Sequence, residues 1–310
     1  MKTLYYNVNY ACNSNCVFCA SDNEMATKGD MSILDILESF RRFGIKAGDS
    51  VVLNGGEPTL YPDLVPVIQE ASRKQAWITL FTNGRRLSDP VLAREVIVSG
   101  VDRITIPLYG ASSEKHDAIT QRENSFAETT MAIRNVFGLR REYGYPQEIE
   151  LKCLVCRPTL EENHEVVNLV AREFGSPDRF VVSGLIFSKT VLLRKEELVP
   201  SLRELRVSVI QTLQQLQRHG FNTILHLIPL CILDRESLGF YLEQTARRRK
   251  KGCDTYVYFD SAQPHGQIVE EPTEGPKHSC CQGCGCARIC TVSAQYMSEL
   301  LQYTNNALTV

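Results

Sequence analysis

Short apolar segments alternate with longer amphipathic segments along the first two thirds of the chain. The short segments are rich in β-branched and aromatic residues, which predicts strands. The long segments repeat apolar positions every three or four residues, which predicts helices. The predicted strands are residues 3–9, 50–54, 76–81, 102–108, 148–155 and 179–187, and the predicted helices are residues 32–43, 61–74, 88–99, 125–142, 161–174 and 195–218.

Six strand–helix units in regular order predict an α/β fold, in which parallel strands form a partial (β/α)6 barrel with the helices outside. The loops at the C-terminal ends of the strands should then carry the functional residues. After about residue 220 the alternation stops, and the sequence becomes richer in Gly, Pro and Cys. We therefore predict a barrel domain over residues 1–220 and a small Cys-rich C-terminal domain over residues 221–310.

The composition is that of a globular protein with a substantial core, because 43% of the 310 residues are hydrophobic and 23% are charged. The 34 Lys and Arg residues and 36 Asp and Glu residues give a net charge of −2, which argues against a nucleic-acid partner. No apolar run reaches the roughly 18 residues of a membrane span, so no membrane partner is expected. The N-terminus lacks the features of a signal peptide, which predicts a cytoplasmic protein.

The 12 cysteines are concentrated in two places. Reduced, clustered cysteines in a cytoplasmic chain indicate a metal or iron–sulfur site more strongly than a disulfide framework. One cluster follows the first predicted strand and the other lies near the C-terminus. The first cluster is Cys12, Cys16 and Cys19, and the second is Cys280, Cys281, Cys284, Cys286 and Cys290.

The first cluster reads C-N-S-N-C-V-F-C and occupies the loop after the first strand. Three thiolates on one loop can hold three irons of a cubane cluster and leave the fourth iron open. An open metal position is what a reacting cofactor needs. A zinc site with a distant fourth ligand is the alternative at this stage.

This C-x-x-x-C-x-x-C spacing, with Phe18 before its third cysteine, resembles the radical S-adenosylmethionine (radical SAM) superfamily. Residues 55–58 at the end of the second strand read G-G-E-P, which resembles the motif of that family whose loop receives the amino group of the SAM methionine. The resemblance covers roughly residues 3–220. It implies a catalytic [4Fe–4S] cluster, with SAM bound beside it, on the ligands Cys12, Cys16 and Cys19.

Weaker matches follow the next strands. Thr82-Asn83-Gly84 resembles the family's T-N-G turn, and Tyr109 lies in a segment that resembles S-L-Y-G, with Pro107 in place of the serine. Lys152 on the fifth strand takes a position where relatives carry a polar residue that faces SAM. The resemblance thus implies cofactor-binding roles for Phe18, Gly55, Gly56, Glu57, Pro58, Thr82, Asn83, Tyr109, Lys152 and Gly184.

The second cluster contains the pattern C-x-x-C-x-x-x-x-x-C, and a further cysteine follows Pro229-Leu230 upstream. This combination resembles the shortened SPASM or twitch extension of radical SAM enzymes. It implies one auxiliary [4Fe–4S] cluster, while structural zinc is the alternative. The implied ligands are Cys231, Cys281, Cys284 and Cys290, with Cys280, Cys286 and Cys253 as possible substitutes.

The implied activity is the reductive cleavage of SAM to a 5′-deoxyadenosyl radical, which abstracts hydrogen from a small molecule or a peptide in natural-product or peptide-modification biosynthesis. The auxiliary cluster would assist redox chemistry or substrate binding. An electron donor such as flavodoxin or ferredoxin is expected as a partner. The alternatives are a non-enzymatic iron–sulfur or zinc protein, and a radical SAM enzyme that acts on a nucleotide or RNA.

Two independent clusters predict a simple iron count. After anaerobic reconstitution, the unmutated protein should hold about eight irons, and a Cys12/Cys16/Cys19→Ala variant should hold about four. Iron analysis of both proteins, prepared in parallel, measures this. Near-zero iron in the variant beside about four in the parent would remove the auxiliary cluster from the prediction.

Overall fold

The structure is a computed structural model that describes residues 1–19, 29–247 and 255–269, and the single positions 290, 292, 296–298, 300 and 302. Its described strands form one sheet in the order β7-β6-β5-β4-β3-β2-β1-β8-β9. Strands β1 to β8 are parallel, and β9 pairs antiparallel with β8. The strands are β1 Lys2–Asn9, β2 Ser50–Gly55, β3 Trp77–Phe81, β4 Arg103–Pro107, β5 Glu148–Leu154, β6 Arg179–Ser183, β7 Thr223–His226, β8 Thr255–Asp260 and β9 Gln263–Val269.

Helices follow most of the strands, as expected for parallel pairing. The predicted parallel α/β architecture is therefore confirmed, and the sheet is not closed, since β7 and β9 lie at its two ends. No described helix has the length and hydropathy of a membrane span. The helices are α1 Ile33–Arg42, α2 Leu64–Arg73, α3 Pro90–Val98, α4 Ser113–Thr120, α5 Ser125–Tyr143, α6 Asn163–Glu173, α7 Lys189–Leu193, α8 Lys195–Leu198, α9 Leu202–Arg218 and α10 Arg235–Arg247.

Side chains along each strand point alternately to the hydrophobic core and to the cavity that forms the candidate site. On β4, Ile104 and Ile106 are completely buried in the main hydrophobic cluster, whereas Thr105 lines a cavity. On β5, Cys153 belongs to the same core while its neighbour Lys152 lines that cavity. Because successive strand residues point to opposite faces, one face of the sheet packs on helices and the other is left for chemistry.

The single helix predicted for residues 195–218 is two helices, α8 and α9. Pro200 lacks the amide hydrogen that a helix needs, and it restricts Val199 to an extended conformation, with φ −86° and ψ 116°. Ser201 then begins α9 with a capping box: its Oγ accepts from Glu204 N at 3.2 Å, and Glu204 Oε2 accepts from Ser201 N at 2.7 Å. The predicted apolar stripe of α9 is buried as expected.

The alternation does not stop near residue 220 as the sequence suggested. β7 pairs with β6, helix α10 follows, and β8 returns to pair with β1 on the other side of the sheet. Helix α4 was also absent from the predicted elements. Residues beyond Val269 are described only at isolated positions, so the division into domains at residue 220 stays a prediction.

The attachment of β8 rests on aromatic packing. The Phe259 ring stacks on the Tyr6 ring with centroids 4.5 Å apart, and both side chains are completely buried. Phe43 packs edge-on against Phe259 at 5.7 Å. Stacked and edge-on aromatic pairs add to the stabilisation that apolar burial provides.

We expect Phe259→Ala to lower the free energy of unfolding by about 3–5 kcal/mol, because the truncation leaves a cavity between β8 and β1. Urea unfolding followed by circular dichroism measures the loss. Leu34→Ala is the control: this side chain on α1 is 73% exposed, and its removal should change stability by less than about 0.5 kcal/mol. Equal stabilities for the two variants would contradict the packing of β8 into the core.

Candidate active site

A cavity of about 280 Å³ lies at the C-terminal ends of the parallel strands. This is the edge of a parallel α/β sheet at which ligands bind. The structure brings nearly all of the residues predicted for the cluster and SAM to this cavity; Pro58 lies beside them, buried in the short turn after β2. The predicted residues that line the cavity are Cys12, Cys16, Phe18, Cys19, Gly55, Gly56, Glu57, Thr82, Asn83, Tyr109, Lys152 and Gly184.

The loop with the first three cysteines, residues 10–19, is named here the cysteine loop. Backbone hydrogen bonds fix it to the C-terminal end of α4. Asn15 N donates to Thr120 O at 2.9 Å, and Val17 N donates to Ile119 O at 3.0 Å. The last carbonyls of a helix have no partner within the helix, so they are available to hold a loop.

The cysteine loop suits a metal cluster by the chemistry of its donors. Burial raises the pKa of the Cys12 thiol and raises the pKa of Cys16 to about 12, and the neighbouring cysteines add to both shifts. Thiols crowded together away from water give up their protons to bind metal, because the positive charge of the metal offsets their mutual repulsion. The buried Ser14 hydroxyl, which also lines the cavity, has no hydrogen-bond partner among the described residues.

The arrangement of the three thiols is compatible with an iron–sulfur cluster. Within the described ranges, no three side chains of His, Cys, Asp or Glu converge on the position of a single metal ion. In a cubane cluster each thiolate binds a different iron, so convergence on one point is not required. The residues present therefore fit a [4Fe–4S] cluster at Cys12, Cys16 and Cys19.

The two glycines after β2 pack against the chain's own backbone. A Cβ on Gly56 would lie 2.4 Å from both Tyr10 O and Ala11 O, and one on Gly55 would lie 2.4 Å from Asn9 O. Gly56 N donates to Asn9 O at 2.9 Å. We expected these glycines to allow the close approach of a ligand. In the structure they allow the close approach of the chain that leads into and forms the cysteine loop, and a larger side chain at either position would collide with it.

Glu57 joins the loop after β2 to the turn after β3. Its carboxylate is completely buried and accepts from Thr59 N at 3.0 Å, Thr59 Oγ1 at 2.6 Å, Thr82 Oγ1 at 2.5 Å and Asn83 N at 2.7 Å. Burial raises the pKa of Glu57, and these hydrogen bonds oppose the shift. All the partners donate, so the ionised carboxylate, which only accepts, matches its surroundings.

The turn after β3 reaches back to the cysteine loop. Asn83 Nδ2 donates to Asn13 Oδ1 at 2.7 Å and lies 3.7 Å from Cys12 Sγ. Arg85 donates to Asn13 O and forms an ion pair with Glu128 on α5. Arg85 and Glu128 belong to none of the motifs found in the sequence, because only the fold brings them to Asn13 and the cysteine loop.

An aromatic wall closes one side of the cavity. The Tyr109 ring meets Phe18 edge-on at 5.0 Å and stacks on His116 at 5.6 Å. His116 Nδ1 accepts from Tyr109 N at 3.2 Å, and burial lowers the pKa of His116 to about 4. A neutral His116 therefore packs as part of an apolar surface that keeps water from the cysteine side of the cavity.

Lys152 is the basic side chain among the described residues that line the cavity. Burial lowers its pKa, while the Glu150 carboxylate on the same strand opposes the shift. A buried ammonium gains stability from an anionic partner, so this position favours a ligand with a carboxylate or a phosphate. The acidic residue of the lining, Glu57, already uses both oxygens within the protein.

The predicted auxiliary ligands are only partly visible. Cys231 is exposed in the short turn Leu230–Ile232 after β7, and Cys290 is half-buried against the main core. The remaining candidates, Cys253, Cys280, Cys281, Cys284 and Cys286, lie outside the described residues.

Comparisons with known proteins identify related sequences and similar folds. A family model described as the radical SAM superfamily matches residues 6–145. Mycofactocin maturase MftC of Mycobacterium ulcerans (strain Agy99) is 33% identical over 139 residues, which cover 43% of this chain and 36% of that protein. The chain thus spans little more than a third of that curated relative.

Solved structures share the fold over nearly the whole chain. Streptococcus suis SuiB bound to S-adenosylmethionine has a TM-score of 0.62 at 17% identity, covering 96% of this chain and 73% of SuiB. The structure of native anSMEcpe with bound AdoMet and Kp18Cys peptide has a TM-score of 0.64 at 14% identity, covering 98% and 96%. At these identities the likeness concerns the fold alone.

The glycine contacts predict the effect of adding one methyl group. Gly56→Ala should lower stability by about 1–3 kcal/mol, because its Cβ collides with backbone atoms that cannot move aside. It should also reduce the iron content after reconstitution, since the cysteine loop must shift. Thermal unfolding and iron analysis measure the two effects.

Gly138→Ala is the matched control for this change. Gly138 lies in α5, and no neighbouring group among the described residues comes within 4 Å of the point that its Cβ would occupy. Alanine there should be neutral or should stabilise by up to about 1 kcal/mol. A Gly56→Ala protein as stable and as rich in iron as Gly138→Ala would contradict the close approach of the two loops.

Proposed function

We propose that the protein is a radical SAM enzyme that modifies a peptide, since a family model described as the radical SAM superfamily matches residues 6–145. The observation that carries the proposal is the convergence of three clustered cysteines, the G-G-E loop and one half-buried lysine on a single cavity. A non-enzymatic iron–sulfur carrier has no need of a ligand-sized cavity beside its cysteines.

The residues of the cavity divide into two sets. Cys12, Cys16 and Cys19 would hold the cluster, and the loop around Gly56 together with Lys152 would hold SAM. When bound, the reduced cluster and SAM supply a carbon radical that abstracts hydrogen from the substrate. The protein contributes binding, orientation and the exclusion of water.

Lys152 orients the anionic end of the cofactor in this proposal. Its half-buried ammonium lines the cavity, desolvation lowers its pKa, and a carboxylate placed there would offset that cost. Gly184, directly after β6, also lines the cavity, and only glycine fits there because a Cβ would lie 2.3 Å from Leu227 O and 2.7 Å from Tyr296 Oη. The aromatic wall of Phe18, Tyr109 and His116 excludes water from the reacting end.

Two observations support a peptide as the substrate. The lining on the β5 and β6 side includes Leu154, Leu185 and Ile186, and the Ile186 side chain at the rim is 53% exposed. Such an apolar rim suits the side chains of a bound peptide. In addition, one relative is named a maturase, and one structural neighbour holds a peptide beside AdoMet.

Two further parts of the proposal rest on the sequence pattern. The auxiliary [4Fe–4S] cluster would use Cys231, Cys281, Cys284 and Cys290 and would assist redox chemistry or substrate binding. A flavodoxin or ferredoxin would deliver the electron that starts the reaction.

The proposed function predicts that the protein releases 5′-deoxyadenosine from SAM under anaerobic, reducing conditions. Cys16→Ala should abolish this release, because the loss of one of three ligands on a single loop removes the cluster. Chromatographic detection of 5′-deoxyadenosine and spectroscopy of the cluster measure the two losses together.

Cys153→Ala is the matched control, since Cys153 is a completely buried cysteine that packs in the core of the sheet away from the cavity. It should retain both the cluster and the release of 5′-deoxyadenosine. An unmutated protein that binds a full complement of iron and releases none of this product would sink the enzymatic proposal in favour of the carrier.

A further inference from the structure

We infer that Arg85 is a positioning residue for the cysteine loop and that the Arg85–Glu128 ion pair adjusts how readily the bound cluster accepts an electron. The inference rests on the proposed function, because it concerns the cluster that Cys12, Cys16 and Cys19 would hold. It assigns roles to two residues outside the cysteine and glycine motifs.

Arg85 lies where its side chain can hold the cysteine loop in position. It opens the short helix Arg85–Ser88 after β3, and its side chain is only 12% exposed. Its guanidinium donates to Asn13 O, one residue after Cys12, and to the Glu128 carboxylate. One planar group with several donors therefore bridges the cysteine loop and α5.

The turn that carries Arg85 is itself held in place. Arg85 N donates to Asn83 Oδ1 at 3.0 Å, and Thr129 Oγ1, next to Glu128, donates to Asn83 O at 3.1 Å. Asn83 in turn contacts the cysteine loop through its amide nitrogen. Arg85 and Glu128 thus belong to one network in which each side chain limits the movement of the next.

The two charges of the Arg85–Glu128 ion pair differ in their exposure to solvent. Arginine stays protonated at any physiological pH, and the Arg85 guanidinium donates to Asn13 O, one residue after the cluster ligand Cys12. The Glu128 side chain is 37% exposed, three times as much as Arg85. Water screens the outer carboxylate more than the inner guanidinium, so the cation has the stronger influence on the cysteine loop.

Reduction adds one negative charge to a cluster that is already surrounded by thiolates. A nearby cation stabilises the reduced form, and a nearby anion destabilises it. Removing the Arg85 charge should therefore make the cluster harder to reduce, and removing the Glu128 charge should make it easier. A merely structural ion pair would not give effects of opposite sign.

The test measures the midpoint potential of the cluster in the reconstituted protein by redox titration followed by electron paramagnetic resonance. We expect Arg85→Gln to lower the ratio of reduced to oxidised cluster about tenfold at a fixed potential, which is about 59 mV for one electron. Glu128→Gln should shift the ratio in the opposite direction. Arg134→Gln is the control: Arg134 lies on α5 and pairs with Glu173 at 3.3 Å, so it loses a charge and an ion pair away from the site.

Arg85→Lys separates position from charge. Lysine keeps the positive charge but cannot bond Asn13 O and Glu128 with one rigid group. Its potential should stay near that of the unmutated protein, whereas an iron chelator should remove its cluster several times faster.

The outcomes distinguish this inference from the proposed function. If the unmutated protein binds no cluster at Cys12, Cys16 and Cys19, the proposed function fails and takes the inference with it. If the cluster forms with the same potential in all variants, or if Arg85→Gln and Glu128→Gln shift it in the same direction, only the inference is overturned.

Discussion

Glu57 is completely buried, and its two carboxylate oxygens accept four hydrogen bonds from two separate loops. A buried charge is tolerated only when donors replace the water it has lost. The donors come from Thr59 in its own loop and from Thr82 and Asn83 in the next, so the carboxylate and the two loops require one another. The rest of the site depends on these hydrogen bonds, because the bond from Asn83 N to Glu57 fixes the position of Asn83.

From Asn83 the constraint passes to the cysteine loop. The Asn83 side chain holds Asn13, Arg85 adds a second bond to the same residue, and the backbone around Gly56 closes the loop from the side. The end of α4 completes the enclosure through Thr120 O. Three thiols that repel one another as they ionise are therefore held by polar contacts from three directions rather than by the strand that precedes them.

The regular part of this architecture was predictable from the sequence, and the contacts that orient the site were not. Periodicity identified β1 to β6, and the cysteine spacing and the G-G-E-P motif pointed to the cavity. The break at Pro200 was hidden because leucines recur at helical spacing on both sides of it. Helix α4 was missed because its apolar residues show too little helical periodicity. Arg85 and Glu128 are 43 residues apart, and only the complete topology brings the turn after β3 against the start of α5.

The chain beyond residue 220 matters for the site through its contacts with the cysteine loop. Tyr10, the first residue of that loop, donates its hydroxyl to Asp260 Oδ2 at 2.8 Å at the end of β8. Asp260 Oδ1 accepts from Ala262 N and Gln263 N and so fixes the turn into β9. A shift of β8 against β1 therefore moves Tyr10, and with it the loop that bears Cys12. Strands β8 and β9 thus act as a structural support of the cavity, so changes in these two strands reach the cysteine loop through the sheet.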